Sequence, residues 1–201
     1  MAWIKTISYE DADPKLRRIY DRLKGPNNTI DNVLTIHSLR PHTLTGHMTL
    51  YKSVLHNSNN SLPKWYLEAL GVYVSILNRC EYCVLHHFEG LKRLWKDDKR
   101  SDLFYSAAQR DTLENFFDDA LVSGFHYAKK ISKQPETMDQ NDIEILKKSG
   151  FKEAEILEIN QVCSYFNYVN RTVLGLGVTA KGDILGLSPN DSEDPSNWTH
   201  Q

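Results

Sequence analysis

Apolar residues recur at three- and four-residue spacing along nearly the whole chain, and no stretch alternates as a half-buried strand or reads as a hairpin. The pattern predicts an all-α protein. A first helix carries Leu16, Ile19, Tyr20 and Leu23, opened by Asp13 as cap with Pro14 in its first turn and closed by Gly25 and Pro26. After an asparagine-rich turn, Pro41 starts a second helix with Leu44, Met48, Tyr51 and Leu55 on one face, ending in a polar run from His56 to Asn60. Ser61, Leu62 and Pro63 read as the capped start of a third helix reaching about Asn78, with an apolar stripe of Leu67, Leu70, Val74 and Leu77. A fourth runs from near Cys80 to about Trp95, and the short gap makes helices three and four antiparallel neighbours. Further helices are predicted at about 101 to 107, 109 to 133, 139 to 148 and 152 to 176, with Pro135 marking a break, Asp139 a cap and Gly150 a turn.

Residues 188 to 201, SPNDSEDPSNWTHQ, are polar and acidic with two prolines, and read as a flexible tail or an arm laid on a partner subunit. One domain over residues 1 to 187 is therefore expected, since 201 residues suffice for one buried core and nothing in the length requires two. A net charge of −2 without a basic stripe argues against nucleic acid as a partner. No apolar run approaches the roughly 18 residues that span a bilayer, so no membrane association is expected and a cytoplasmic location is the default. Three unevenly spaced cysteines do not make a secreted disulfide framework; they fit a reducing compartment with a dedicated dithiol.

That dithiol carries the chemistry of the chain. Cys80 and Cys83 are followed by His86 and His87, and on a helix these positions converge on one face. A thiol in a first helical turn meets unsatisfied amides and the positive end of the dipole, which favour thiolate. An imidazole one turn on can take the proton, and a carboxylate can orient the imidazole. Glu68, on helix three, is the candidate for that third role. Gly71 and Ser75 continue its stripe with small side chains that would let helix four approach closely. The rise per residue sets Glu68 and His87 at levels of roughly 16 and 11 Å from the intervening turn, which suggests a bridging water as much as direct contact. A zinc site and a purely structural thiol pair remain alternatives for the same residues.

The spacing Glu68-x11-Cys80-x2-Cys83-x3-His87 resembles the catalytic pattern of AhpD-like alkylhydroperoxidases of the carboxymuconolactone decarboxylase superfamily. The resemblance from Ser61 to Leu91 covers about a sixth of the chain. Pro135-Glu-Thr-Met138, Gly150-Phe151 and Tyr165-Phe-Asn-Tyr-Val-Asn-Arg171 extend it toward the subgroup of peroxidase-related enzymes. It implies an AhpD-like helical bundle and a homo-oligomer, with Cys83 as the peroxidatic thiol and Cys80 as the resolving one. His87 would be base or proton relay, and Glu68 its orienting carboxylate. The implied partners are a hydroperoxide substrate and an external dithiol reductant, either a lipoylated protein or a thioredoxin-like one, with no bound cofactor or metal. One position departs from the pattern: Tyr82 stands where AhpD enzymes carry a histidine, and its hydroxyl cannot act as a base near pH 7. General dithiol–disulfide exchange and redox sensing by a binding protein are the alternatives; lactone chemistry is not favoured, because the decarboxylase branch generally lacks the cysteine pair.

Outside this group the sequence offers less. His86 reads as a packing or surface residue, and His37, His42, His47 and His56 are scattered without ligand spacing. Cys163 reads as a core thiol. Asn167, Asn170 and Arg171 form a polar stripe on an apolar helix, better suited to packing or subunit contact than to a pocket border. Tyr165, Phe166 and Tyr168 read as core or oligomer contacts.

Overall fold

A computed structural model describes residues 2–25 and 28–186. Among these residues there are nine α-helices and two short 3-10 turns, and no β-strand. The helices are α1 (Pro14–Tyr20), α2 (Asn32–Thr35), α3 (Pro41–Leu55), α4 (Lys64–Leu77), α5 (Glu81–Trp95), α6 (Asp98–Arg110), α7 (Asp119–Lys133), α8 (Gln140–Lys148) and α9 (Glu153–Leu176). The expected tail at 188 to 201 lies outside the described residues, as does Pro26.

Helix α4 is the centre of the molecule. Every residue from Tyr66 to Ser75 is buried, so the helix is enclosed all round instead of along the single stripe its leucines suggest. Helices α5, α7 and α9 pack around it, and α9 also covers α3. Two tyrosines of α4 bury their rings and spend their hydroxyls on tethers: Tyr66 donates to the Leu121 carbonyl at 2.7 Å and Tyr73 to the Asp111 carboxylate at 2.6 Å. On one side of α4 an aromatic cluster joins Trp65, Trp95, Phe104, Phe117 and Phe125.

Local signals explain most helix ends. The Asp13 carboxylate accepts the Leu16 amide, and Asp139 with Asp142 forms a full capping box at α8. The structure differs from expectation at three ends. Helix α1 stops at Tyr20, with Asp21 as its C-cap, before the Gly25 turn. The start of α4 lacks a local side-chain cap; Glu158 of α9 reaches across to accept the amides of Ser61 and Leu62 at 2.8 and 2.9 Å. The continuous helix expected at 109 to 133 is broken: α6 runs on to Arg110, Asp111 turns left-handed at φ 58°, and α7 begins only after Asp118, whose carboxylate accepts the Leu121 amide. Between them Leu113, Phe116 and Phe117 are inserted into the aromatic core, a burial that no single helical face provides for adjacent phenylalanines.

Candidate active site

The turn between α4 and α5 is a Schellman motif. Asn78 caps α4, Arg79 takes the left-handed conformation at φ 56°, its amide bonds to the Ile76 carbonyl, and the Cys80 amide bonds to the Ser75 carbonyl. Cys80 is thus both the residue that closes α4 and the N-cap of α5, and Cys83 lies in the first turn of α5. Both thiols are free and buried, with their sulfurs 3.3 Å apart. That is hydrogen-bonding distance, well beyond a disulfide's ~2.05 Å.

The two sulfurs are not equivalent. Cys83 shares the wall of a cavity of about 60 Å³ with His47, Met48, Tyr51, His86, His87 and Tyr165, and Cys80 sits behind it. The Cys80 thiol is held below its usual range chiefly by the Cys83 thiol, with the Cys83 and Asn170 amides acting in the same direction against burial. The Cys83 thiol is pushed well up by Cys80 and by its own burial, at 2% exposure. The two shifts run in opposite directions, so Cys83 holds its proton more tightly than Cys80 does.

His87 follows Cys83 by four residues on the same face of α5. Its Nδ1 lies 2.7 Å from Oε2 of Glu68, a carboxylate only 1% exposed. The contact is direct, without the bridging water that helical rise suggests; the extended glutamate side chain spans the offset in level. The other Glu68 oxygen lies 3.8 Å from Nε2 of His56, at the C-terminus of α3. A buried carboxylate needs such company to stay in the interior.

The small residues of α4 serve a different neighbour from the one their spacing suggested. A Cβ on Gly71 would meet the Phe166 ring at 2.1 Å, and Ser75 accepts from the Asn170 amide at 3.1 Å, so the stripe admits α9, not α5. Phe166 then lies edge-on against His87, with ring centroids 4.6 Å apart.

Four residues that the sequence leaves undistinguished belong to this site. His56 faces Glu68, His47 lines the cavity, and Tyr51 and Tyr165 line it too, within 6.4 Å and 5.8 Å of His87 and Tyr51 respectively by ring centroid. Asn170 is fully buried, accepts from Asn78 at 3.0 Å, and lowers both thiols. The polar stripe containing Asn170 was the one available signal. Asn167 bonds Ser132 and Asn78, and Arg171 bonds Asn167, which is packing at the edge of the same network. Cys163 is a core thiol pushed up to about 12 by burial.

His86 and Tyr82 line the same cavity but turn their polar atoms to Asp183. Their rings stack at 4.5 Å, the Tyr82 hydroxyl donates to Asp183 at 2.6 Å and accepts the Val33 amide at 3.0 Å, and His86 Nε2 lies 3.3 Å from the same aspartate. Among the described residues no group of three or more His, Cys, Asp or Glu side chains is arranged to hold a metal ion, and no helix is long and apolar enough to cross a membrane.

No family model and no curated protein matches this sequence. Solved structures do. An uncharacterised peroxidase-related protein with an alkylhydroperoxidase AhpD core, from Ralstonia eutropha, superposes with TM-score 0.77 at 16% identity, over 100% of this chain and 97% of that one. An uncharacterised peroxidase-related protein from Silicibacter gives 0.72 at 21% identity over 86% of this chain and 89% of that one. The debrominase Bmp8, in complex with 2,3,4-tribromopyrrole, gives 0.72 at 16% identity over 89% and 91%. Identities this low speak to architecture alone, and the architecture is plain: the chain has the all-helical AhpD-like fold.

Proposed function

We propose that the protein is a thiol-dependent peroxide reductase that cycles Cys83 and Cys80 between dithiol and disulfide. One observation carries the reading: Cys83 and the His87 imidazole, anchored on a buried carboxylate, stand on the wall of one cavity, and burial with the Cys80 thiol raises the hold of Cys83 on its proton. A protonated thiol is a poor nucleophile. His87, held by Glu68 through Nδ1, would take that proton on its other nitrogen.

The Cys83 sulfur then attacks a peroxide oxygen. A sulfur–oxygen bond forms, the oxygen–oxygen bond breaks, and the leaving oxygen receives the proton carried by His87, giving a sulfenic acid and an alcohol or water. The Cys80 sulfur, 3.3 Å away, then attacks the Cys83 sulfur; the S–OH bond breaks, the hydroxyl leaves as water with the proton from the Cys80 thiol, and the disulfide closes. An external dithiol, on a lipoylated or thioredoxin-like protein, returns both electrons. The working form is a cytoplasmic homo-oligomer without bound cofactor.

Rapid quench of the reduced protein with peroxide tests this. A Cys80–Cys83 disulfide is expected to appear far faster than free cysteine oxidises, and to vanish in Cys83→Ser. In Glu68→Gln, oxidation is expected to slow about 10- to 100-fold, less than the roughly 10²–10⁴-fold of a proton-transfer group itself, because Glu68 acts through His87. Wild-type oxidation no faster than free cysteine would sink the reading.

A further inference from the structure

His47 stands on α3 one turn before Tyr51 and lines the same cavity as Cys83. It is 4% exposed, and its ring is set between His37, at a centroid distance of 5.0 Å, and Tyr165 and Tyr168, at 5.8 and 6.1 Å. Burial, with the nearby His37 and His87 acting in the same direction, drives its pKa down to about 3, so the ring is neutral at physiological pH. A neutral imidazole presents one N–H and one bare nitrogen. His47 Nδ1 is buried without any hydrogen-bond partner. A buried polar atom left in that state is costly, and a ligand is one of the few things that relieves it.

The dimensions of the cavity limit that ligand. At about 60 Å³ it is well under half the ~150 Å³ of an engineered cavity that accepts benzene. That volume matches hydrogen peroxide or a short alkyl hydroperoxide better than a substrate with an aromatic ring. Val33, Leu34, Met48 and Val169 supply apolar wall for a small alkyl group, leaving the polar end of the substrate to the histidines and tyrosines.

We propose that His47 is a substrate-binding residue, whose Nδ1 hydrogen-bonds the peroxide oxygen that leaves when Cys83 attacks, in a site sized for hydrogen peroxide and the shortest alkyl hydroperoxides. The inference rests on the peroxide reductase reading. Chemically it adds one element to that reaction. As the oxygen–oxygen bond breaks, the electron pair goes to the leaving oxygen, and a hydrogen bond from the His47 N–H to that atom stabilises the developing charge before the proton from Cys83 arrives through His87. His47 is poised to be that donor because it forms no other bond through Nδ1.

The test is single-turnover oxidation of the reduced protein by hydrogen peroxide, tert-butyl hydroperoxide and cumene hydroperoxide, with diamide as an oxidant that needs no peroxide site. Wild type is expected to prefer hydrogen peroxide over cumene hydroperoxide by about 100-fold or more. His47→Phe is expected to lose about 10- to 100-fold with hydrogen peroxide, the scale of one transition-state hydrogen bond, while diamide oxidises it at the wild-type rate. His47→Gln restores a donor and is expected to recover part of the loss; it also carries the test if the phenylalanine variant fails to fold. Met48→Ala, which enlarges the cavity, is expected to speed cumene hydroperoxide alone. Equal hydrogen peroxide rates in wild type and both His47 variants would overturn the assignment while leaving peroxide reduction standing, and so would a parallel loss with diamide. Equal wild-type rates for hydrogen peroxide and cumene hydroperoxide would overturn the size limit. A wild type no faster than free cysteine would remove the peroxide reading itself, and this inference with it.

Discussion

Asn170 concentrates the chemistry of the site into one side chain. Its amide nitrogen donates to Ser75 at 3.1 Å, its oxygen accepts from Asn78 at 3.0 Å, and it lowers both thiols, so one buried residue ties α9 to the end of α4 and to the sulfur pair. Asn170→Leu is expected to destabilise the fold by about 1–3 kcal/mol, because it strands two polar partners. It also removes a donor that favours thiolate, so the pH at which the reduced pair reacts with iodoacetamide is expected to rise. A loss of stability with an unchanged pH profile would assign Asn170 to packing alone. Arg79 presents the opposite case. It holds the left-handed position of the Schellman turn although it is not glycine, and such a conformation costs roughly 1 kcal/mol for a residue with a Cβ. Arg79→Gly is expected to raise the urea midpoint by an amount equivalent to about 0.5–1 kcal/mol. An unchanged or lower midpoint would mean that the arginine side chain offsets the strain.

At the scale of elements, the close contact between α4 and α9 positions His87. Gly71 leaves room for Phe166, and Phe166 bears edge-on on His87. A methyl group at position 71 would sit 2.1 Å from the ring, which must move. Gly71→Ala is expected to cost about 1–3 kcal/mol, and to slow peroxide oxidation of Cys83 through a displaced His87. Full stability in the alanine variant would show that the ring can shift freely. This contact also shows where sequence reasoning reaches its limit. Helices α3, α4 and α5 follow from apolar spacing and from Pro41, Pro63 and Cys80, because those signals are local. So does the convergence of Cys80, Cys83 and His87, which needs only the helical repeat. Which neighbour fills the gap at Gly71 is decided by Phe166, some ninety-five positions away, and the repeat says nothing about that. His47 and His56 lie beyond the reach of spacing for the same reason: α3 meets the site only through tertiary packing. The break at Asp111 was hidden because a left-handed aspartate and two core phenylalanines look like helix until the core claims them.

For the molecule as a whole, Asp183 joins elements far apart in the chain at the wall of the cavity. Its carboxylate accepts the Asn32 amide at the start of α2 and the Tyr82 hydroxyl from α5, with His86 3.3 Å away, while the Asn32 side chain bonds the carbonyls of Thr179 and Lys181. Tyr82, the departure from the AhpD pattern, is thus a strut between the segment after α9 and the helix that carries the cysteines. Next to this junction lies Asp31, whose pKa is raised to about 6 by burial and by Asp183, with His86 pulling the other way. An aspartate at 3.8 when unfolded and about 6 when folded binds its proton more tightly in the folded state. Stability must then fall as pH rises from about 4 to about 6, and the penalty, on the order of 3 kcal/mol at most, is fully present above that window. Asparagine keeps the shape, gives up no helix cap, because the Asp31 side chain makes no cap hydrogen bond to α2, and carries no charge. Asp31→Asn is therefore expected to match wild type in urea midpoint at pH 4 and to exceed it by the equivalent of about 1–3 kcal/mol at pH 7.5. A gap of the same size at both pH values would mean that the buried charge of Asp31 is not what separates the two proteins, and that the carboxylate is accommodated at neutral pH by a rearrangement of the Asp183 junction.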